Sequence, residues 1–417
     1  MQDRRVRTTV PATWRMMWTA GVMLGALLAL FPALVDAAPG AEYVASEVLV
    51  VLGPGICSET LDNLFGTQTA EEIEGIGIAR VLLPGYSSDA NVIGQMREFG
   101  GILYVEKNYV LETPEADQSS MPFIENEPSM ENYLEQRAAD QLGLEEAHEI
   151  STGEGVRVAI LDTGADLDHW LLAGHLSPIG YDLVGGDPEP SEEPDGFDND
   201  FDGYIDESLG HGSHVAGTVA LVAPGCEILI YRVLDAEGRG SLFNLAQGIV
   251  MAANDGAQII NLSLGLHTGS VVLQEALSYA RNAGCLIICA SGNTMTSDPE
   301  YMPAASPQTC AVAATDTADI RAPFSNYGSF ASLAAPGVEI YSAYSNDLCA
   351  RWSGTSMAAP LVSGVAALVW AHYPELGPVD VIGIVLDAAV DIDALNPQVA
   401  GLLGAGRLDA AQALAAP

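Results

Sequence analysis

Apolar positions divide the 417-residue chain into three stretches of different rhythm. Between residues 41 and 112, EVLVVL (47–52), ARVLLP (79–84) and GILYV (101–105) predict strands. Asp89 to Phe99 carries Val92, Ile93, Met96 and Phe99 at helical spacing. This stretch reads as a small α/β unit. Residues 113–131 show little periodicity and hold Pro114, Pro122 and Pro128 among acids, which predicts an exposed, protease-sensitive linker. From 132 to 417 continuous apolar runs recur: VRVAILD (156–162), EILIYRVLD (227–235), AQIINLSLG (257–265), GCLIICASGN (284–293) and TCAVAATD (309–316). Helical stretches separate them, notably Ser241 to Asn254 and Val271 to Ala283. Such runs predict an α/β fold, a mainly parallel sheet with helices on both faces, in one domain without a second linker. Chemistry in such folds gathers at the carboxyl ends of strands, where Asp162, Gly265 and Asn293 stand.

The N-terminus changes the picture of where the chain works. Arg4, Arg5, Arg7 and Arg15 precede an uncharged run from Met16 to Val35 and a small-residue exit at Val35-Asp36-Ala37. That order predicts a secretory signal peptide over 1–37 and hence a protein of the extracellular or cell-envelope space. An uncleaved membrane anchor is the alternative, because the run is long enough to span a bilayer. Met357 to Trp370 is too short for a span and is interrupted by Pro360 and Gly364. Export permits disulfides, yet Cys285 and Cys289 stand about 13 Å apart along one strand. Cys285, Cys289 and Cys310 read as buried apolar residues; the sequence leaves any pairing open.

Fifteen basic residues face 55 acidic ones, a formal net charge of −40, and Lys107 is the only lysine. A nucleic-acid partner is excluded, because a polyanion would be repelled over most of the surface. Disorder is excluded too: 49% of residues are hydrophobic and only 17% charged. The acidity is a surface property, compatible with a salty or calcium-rich exterior.

Three segments carry candidate chemistry. Ala159-Ile160-Leu161-Asp162-Thr163-Gly164 delivers a carboxylate from a strand into a glycine turn. His211-Gly212-Ser213-His214-Val215-Ala216-Gly217 enters a helix. Gly354-Thr355-Ser356-Met357-Ala358-Ala359-Pro360 opens a long apolar helix, with Pro360 expected in its first turn. A serine at a helix N-terminus has free N–H groups and the positive dipole end beside it, which suits a nucleophile whose adduct becomes an oxyanion. An aspartic peptidase would need a second Asp-Thr-Gly, which is not present.

These segments, in the order Asp, His, Ser, resemble the subtilisin-like serine peptidases (subtilases). Ala290-Ser291-Gly292-Asn293 and Gly404-Ala405-Gly406-Arg407-Leu408-Asp409-Ala410 extend the resemblance over 132–412. Gly-Ser-His after His211 departs from the more frequent Gly-Thr-His. The resemblance implies Ser356 as nucleophile, His211 as general base and then acid, Asp162 as its orienting partner, and Asn293 with the Ser356 N–H as oxyanion donors. It also implies that Ser263, Leu264 and Gly265 with Ala290, Ser291 and Gly292 line the cleft and pair with an extended substrate. His214 reads as structural. Residues 41–112, ending in Tyr104-Val105-Glu106-Lys107-Asn108-Tyr109-Val110, resemble the inhibitor-type subtilase propeptide, which occupies the cleft until cut away, here within 113–131; a permanent accessory domain is the alternative.

Between Asp162 and His211 lie 48 residues, acidic in their second half. There Asp198-Asn199-Asp200-Phe201-Asp202-Gly203-Tyr204-Ile205-Asp206 has the D-x-D-x-D-G order of a calcium loop. Asp198, Asp200, Asp202, the Tyr204 carbonyl and Asp206 are the expected Ca²⁺ ligands. Position 12 is Leu209, so Asp195 or Glu207 must replace the usual bidentate Glu. Structural calcium is also what the resemblance implies.

The expected protein is a secreted, monomeric serine endopeptidase acting on protein or peptide substrates, made as a precursor that processes itself and is inhibited by its own propeptide. A silent peptide-binding module and a processing peptidase with one partner are the rival readings. Glu300, Tyr301 or Met302 is expected at the base of the specificity pocket: a Glu would favour basic side chains, a Tyr would shorten the pocket.

Overall fold

The computed structural model describes residues 41–415 apart from 86–88, 117–119, 200–201 and 298–300. The expected signal segment, Asp200 of the acidic loop and Glu300 of the pocket base lie outside the described residues.

The N-terminal unit runs β1 (Tyr43–Leu52), α1 (Ser58–Phe65), β2 (Gln68–Ile73), β3 (Ile78–Leu82), α2 (Asp89–Glu98) and β4 (Ile102–Glu112). Its strands pair antiparallel in the order β2-β3-β1-β4. Both faces are covered, which is why EVLVVL is apolar without a break. Val48 and Val50 pack with Leu61, Val92 and Met96 under α1 and α2. Leu49 and Val51 face the other way and join the core of the larger unit, as the two-residue period of a strand requires. The helix α1 and the strand β2 were not legible in the sequence.

The larger unit starts with β5 (Phe123–Glu125), α3 (Met130–Leu134), α4 (Arg137–Leu142) and α5 (Leu144–His148). It continues with β6 (Arg157–Asp162), β7 (Leu176–Asp182), α6 (His211–Val222), β8 (Glu227–Arg232), β9 (Arg239–Ser241), α7 (Leu242–Asn254), β10 (Ile259–Leu262), α8 (Val271–Asn282), β11 (Leu286–Ala290) and β12 (Cys310–Thr315). It closes with β13 (Ala331–Pro336), β14 (Ile340–Tyr344), β15 (Leu348–Trp352), α9 (Thr355–His372), α10 (Pro378–Asp387) and α11 (Ala410–Ala415). Seven strands form a parallel sheet in the order β13-β12-β11-β10-β6-β8-β7. The core on one face centres on α6 and α9, and that on the other on α7 and α8. The α/β architecture with helices on both faces is therefore the one the apolar runs predict. Strand order reverses between β6 and β10, so the crevice at their carboxyl ends is the expected binding place.

Two expectations need correction. Residues 113–131 are not a uniformly exposed linker. Thr113, Glu115 and Ala116 are buried, and β5 pairs with β15 in a three-stranded antiparallel sheet that also contains β14. An extended segment passing an open strand edge satisfies its backbone there rather than in water. Pro360 lies beyond the first turn of α9. Its missing N–H would have bonded the carbonyl of Ser356, and the Ser263 hydroxyl donates to that carbonyl instead (3.0 Å). With this repair α9 runs unbroken over 18 residues. It is long and apolar enough to cross a membrane, but 89% of it is buried inside the fold, as a core helix is. All six cysteines are unpaired; five are buried and Cys57 is exposed.

Candidate active site

Asp162 ends β6 and His211 begins α6, and the two meet at the carboxyl edge of the sheet. Asp162 Oδ1 lies 2.7 Å from His211 Nδ1 and also accepts from the Thr163 N–H (2.8 Å). Both side chains are fully buried. The Trp352 ring meets the His211 ring edge-on, with centroids 5.3 Å apart. Ser356, in the first turn of α9, is buried in the same place. Asn293 follows β11. Its Oδ1 accepts from the Thr355 N–H (3.0 Å) and hydroxyl (2.9 Å), which leaves its amide Nδ2 to donate elsewhere.

A residue without any motif stands at the centre. Glu115 Oε2 accepts from the Ser356 hydroxyl (2.7 Å) and lies 3.2 Å from His211 Nε2. Glu115 Oε1 accepts from Asn293 Nδ2 (2.8 Å). One carboxylate therefore engages Ser356, His211 and Asn293 together. Burial would lower the His211 pKa, but the Asp162 and Glu115 carboxylates outweigh it and raise it to about 10. The imidazole is then protonated at neutral pH and has no lone pair for the Ser356 proton.

The backbone leading to Glu115 runs as a strand between β9 and Gly265. β4 pairs antiparallel with β9, placing Val110 opposite Ser241, Leu111 opposite Gly240 and Glu112 opposite Arg239. On its other side Glu112 exchanges both backbone hydrogen bonds with Gly265 (3.0 and 2.9 Å). Thr113 N–H donates to the Gly238 carbonyl (2.9 Å). The chain then turns: the Ala116 N–H returns to the Thr113 carbonyl (3.1 Å). The expected lining segments thus occupy distinct places. Gly265 pairs with the strand, the Ser263 carbonyl lies 3.3 Å from Ser356 Oγ, and Leu264 is buried in the core. Ala290 and Ser291 are buried behind the site, and the Gly292 N–H donates to Thr355 Oγ1 (3.1 Å).

Two further residues escape sequence reasoning. Glu192 accepts from the Thr163 hydroxyl (3.2 Å), the Ser213 N–H (3.1 Å) and the Ser213 hydroxyl (2.8 Å), tying the end of β6 to the start of α6. Burial raises its pKa to about 7. Nothing in the acidic run 187–207 marks it among its neighbours. Arg232, at the end of β8, bonds Asp182 (2.8 Å) beside the same loop. His214 is buried, its Nε2 facing the Ile340 and Ala350 carbonyls (2.9 and 3.2 Å). Burial lowers its pKa to about 3, which favours the neutral ring.

The acidic loop holds its carboxylates on its own backbone. Asp198 accepts from Asp202 N–H and Gly203 N–H (both 3.1 Å), and Asp202 from Tyr204 N–H (2.8 Å). Asp206 accepts from Asp195 N–H (3.0 Å) and Gly196 N–H (3.1 Å). Among the described residues no three acidic, Cys or His side chains converge as a metal site would require. Asp198, Asp202 and Asp206 with the Tyr204 carbonyl are all hard oxygen donors, the chemical kind that suits Ca²⁺.

Residues 153–406 match the subtilase family. The chain belongs to that family. This subtilase is 42% identical over 232 residues to a thermostable alkaline protease of Halalkalibacterium halodurans, covering 54% of this chain and 59% of that protein. It is 41% identical over 234 residues to thermitase of Thermoactinomyces vulgaris, covering 54% of this chain and 78% of thermitase. Among solved structures it is similar to fervidolysin of Fervidobacterium pennivorans, a keratinolytic enzyme related to subtilisin. The TM-score is 0.72 at 25% identity, over 90% of this chain and 62% of fervidolysin. The matched part of this subtilase is a serine-type endopeptidase domain.

Proposed function

We propose that this subtilase is a secreted serine endopeptidase held inactive by its own N-terminal unit. The observation that carries the reading is the Glu115 carboxylate, whose two oxygens take the places of a substrate's reacting oxygens. One is bound to Asn293, the other to Ser356 and His211. The backbone of 110–113 supplies the substrate-like strand before it. Residues 41–112 act as the inhibitory propeptide, and maturation cuts within 113–131. The likeness to fervidolysin covers more of the chain than the subtilase domain alone, which supports including this unit.

Once Glu115 leaves, the Asp162 carboxylate holds the His211 ring with Nε2 free. Ser356 Oγ attacks the peptide carbonyl and passes its proton to Nε2. Asn293 Nδ2 and the Ser356 N–H hold the oxyanion. Collapse expels the amine, which takes the proton from His211 and leaves an acyl-enzyme. Water, deprotonated by the same nitrogen, releases the acid and restores Ser356. Calcium at 198–206 is proposed from the order of oxygen donors alone, and no step passes through it.

A serine-directed fluorophosphonate is expected to label Ser356 in the matured protein but not in the precursor. Absence of label in matured protein refutes the enzyme reading. Purified Ser356→Ala precursor is expected to stay uncut; normal processing refutes self-maturation.

A further inference from the structure

The slot beside Ser356 is already filled by the protein itself. Its walls are 263–265 and 290–292: the Ser263 carbonyl lies 3.3 Å from Ser356 Oγ, and the Gly292 N–H donates to the hydroxyl of Thr355, the residue before Ser356. Each wall ends in a glycine, Gly265 and Gly292, and two glycines facing one slot leave room for a substrate side chain. The Tyr301 ring occupies that room. A Cβ placed on Gly265 would stand 2.5 Å from the Tyr301 hydroxyl oxygen and 2.7 Å from Cε1. One placed on Gly292 would stand 2.8 Å from the same Cε1. The ring thus touches both walls at once and spans the gap between them.

Tyr301 is held firmly in this place. It is 3% exposed. Met302 exchanges both backbone hydrogen bonds with Leu266 (2.8 and 2.9 Å), which fixes the chain just after the ring. The Tyr301 carbonyl accepts from the Ala305 N–H (2.8 Å). The His267 ring packs against it, with centroids 4.8 Å apart. Swinging the ring out would expose a buried aromatic and empty a packed region, so a substrate cannot displace it cheaply.

A peptide that pairs with Gly265, as Glu112 does, and reaches Ser356 three residues on, as Glu115 does, carries the residues just before the point of attack past this slot. We infer that Tyr301 is the specificity-determining residue of this enzyme and restricts cleavage to bonds that follow glycine, alanine or serine. The inference rests on the endopeptidase reading and names its substrate class: proteins rich in small residues, cut after those residues.

The test uses the full chain after maturation, with two tetrapeptide anilides identical except for Ala or Phe before the cut bond. The wild type is expected to favour Ala over Phe by about a hundredfold in kcat/KM, within the range set by adding bulk to a closed pocket. Tyr301→Ala is expected to shrink that ratio at least tenfold, while Tyr301→Phe, which keeps the ring, preserves it. A wild type that cleaves the Phe substrate as well as the Ala one overturns the inference, and needs no variant to fold. A ratio unchanged in folded Tyr301→Ala overturns it as well. Fluorophosphonate labelling is read on the same samples. A labelled enzyme that prefers Phe defeats only this inference, whereas matured protein that neither labels nor cleaves defeats the reading beneath it.

Discussion

At the scale of single residues, the chemistry depends on the state of one imidazole. His211 lies between two carboxylates, Asp162 on Nδ1 and Glu115 on Nε2. On the proposed reading, only Asp162 belongs to the working enzyme. Glu115 stabilises the imidazolium and, on that reading, disarms the base in the precursor. A raised His pKa stabilises the folded precursor fully below the unfolded value near 6.5 and ceases to do so as pH rises through about 10. Glu115→Gln removes one charge. The His211 pKa, followed by NMR in the precursor, is expected to fall by at least one unit, and loss of stability between pH 7 and 10 to become shallower. An unchanged titration would rule out this role. Asp162, His211, Ser356 and Asn293 were legible because each sits in a short local motif. Glu115 was not, because it meets Ser356 across 241 residues of chain and only folding brings them together.

At the scale of elements, the two units are joined by strand and helix termini. β4 adds its edge to β9, so the sheet of the N-terminal unit continues into the catalytic one. Glu106 on β4 accepts from the Ser270 hydroxyl (2.7 Å) and from the Val272 and Val271 N–H groups (2.9 and 3.3 Å) at the start of α8. Asn108 accepts from the Phe243 N–H (3.0 Å) at the start of α7. These are the orphan donors that every helix N-terminus presents. Burial nevertheless raises the Glu106 pKa to about 7. Glu106→Ala leaves those donors dry and unpaired. The N-terminal unit, added in trans to mature enzyme, is expected to inhibit roughly 10- to 100-fold more weakly, in line with a lost charged hydrogen-bond set. Equal inhibition would assign docking to the strand pairing alone. The strands were legible as apolar runs because the sheet is covered on both faces. The repair of α9 by Ser263 was not, because the partner of Ser356's carbonyl comes from another strand's end.

At the scale of the whole molecule, a net charge of −40 makes self-repulsion a term in stability. The acidic loop 187–207 concentrates part of it beside α6, and its described carboxylates already close the loop's own turns. The donor order predicts that a calcium chelator lowers the melting temperature. The comparison must be made at fixed ionic strength, because screening alone shifts the midpoint of so acidic a protein. At saturating ion, about a hundredfold above Kd, the loss amounts to roughly 2.7 kcal/mol. An unchanged midpoint would leave the loop as a solvated surface that folds without a metal.

The sequence by itself determined the parallel sheet, the two units, the order of Asp162, His211 and Ser356, and the family. These are written in local periods and short motifs, which need only neighbouring residues to be read. For the pocket base it offered three consecutive residues as an expectation, without choosing among them. The tertiary structure decided which carboxylate meets Ser356 and His211, which ring packs against Gly265 and Gly292, and which hydroxyl mends the helix. Each of these is a meeting of residues far apart in the chain, and such meetings are fixed by packing and by the need to pair every buried polar group.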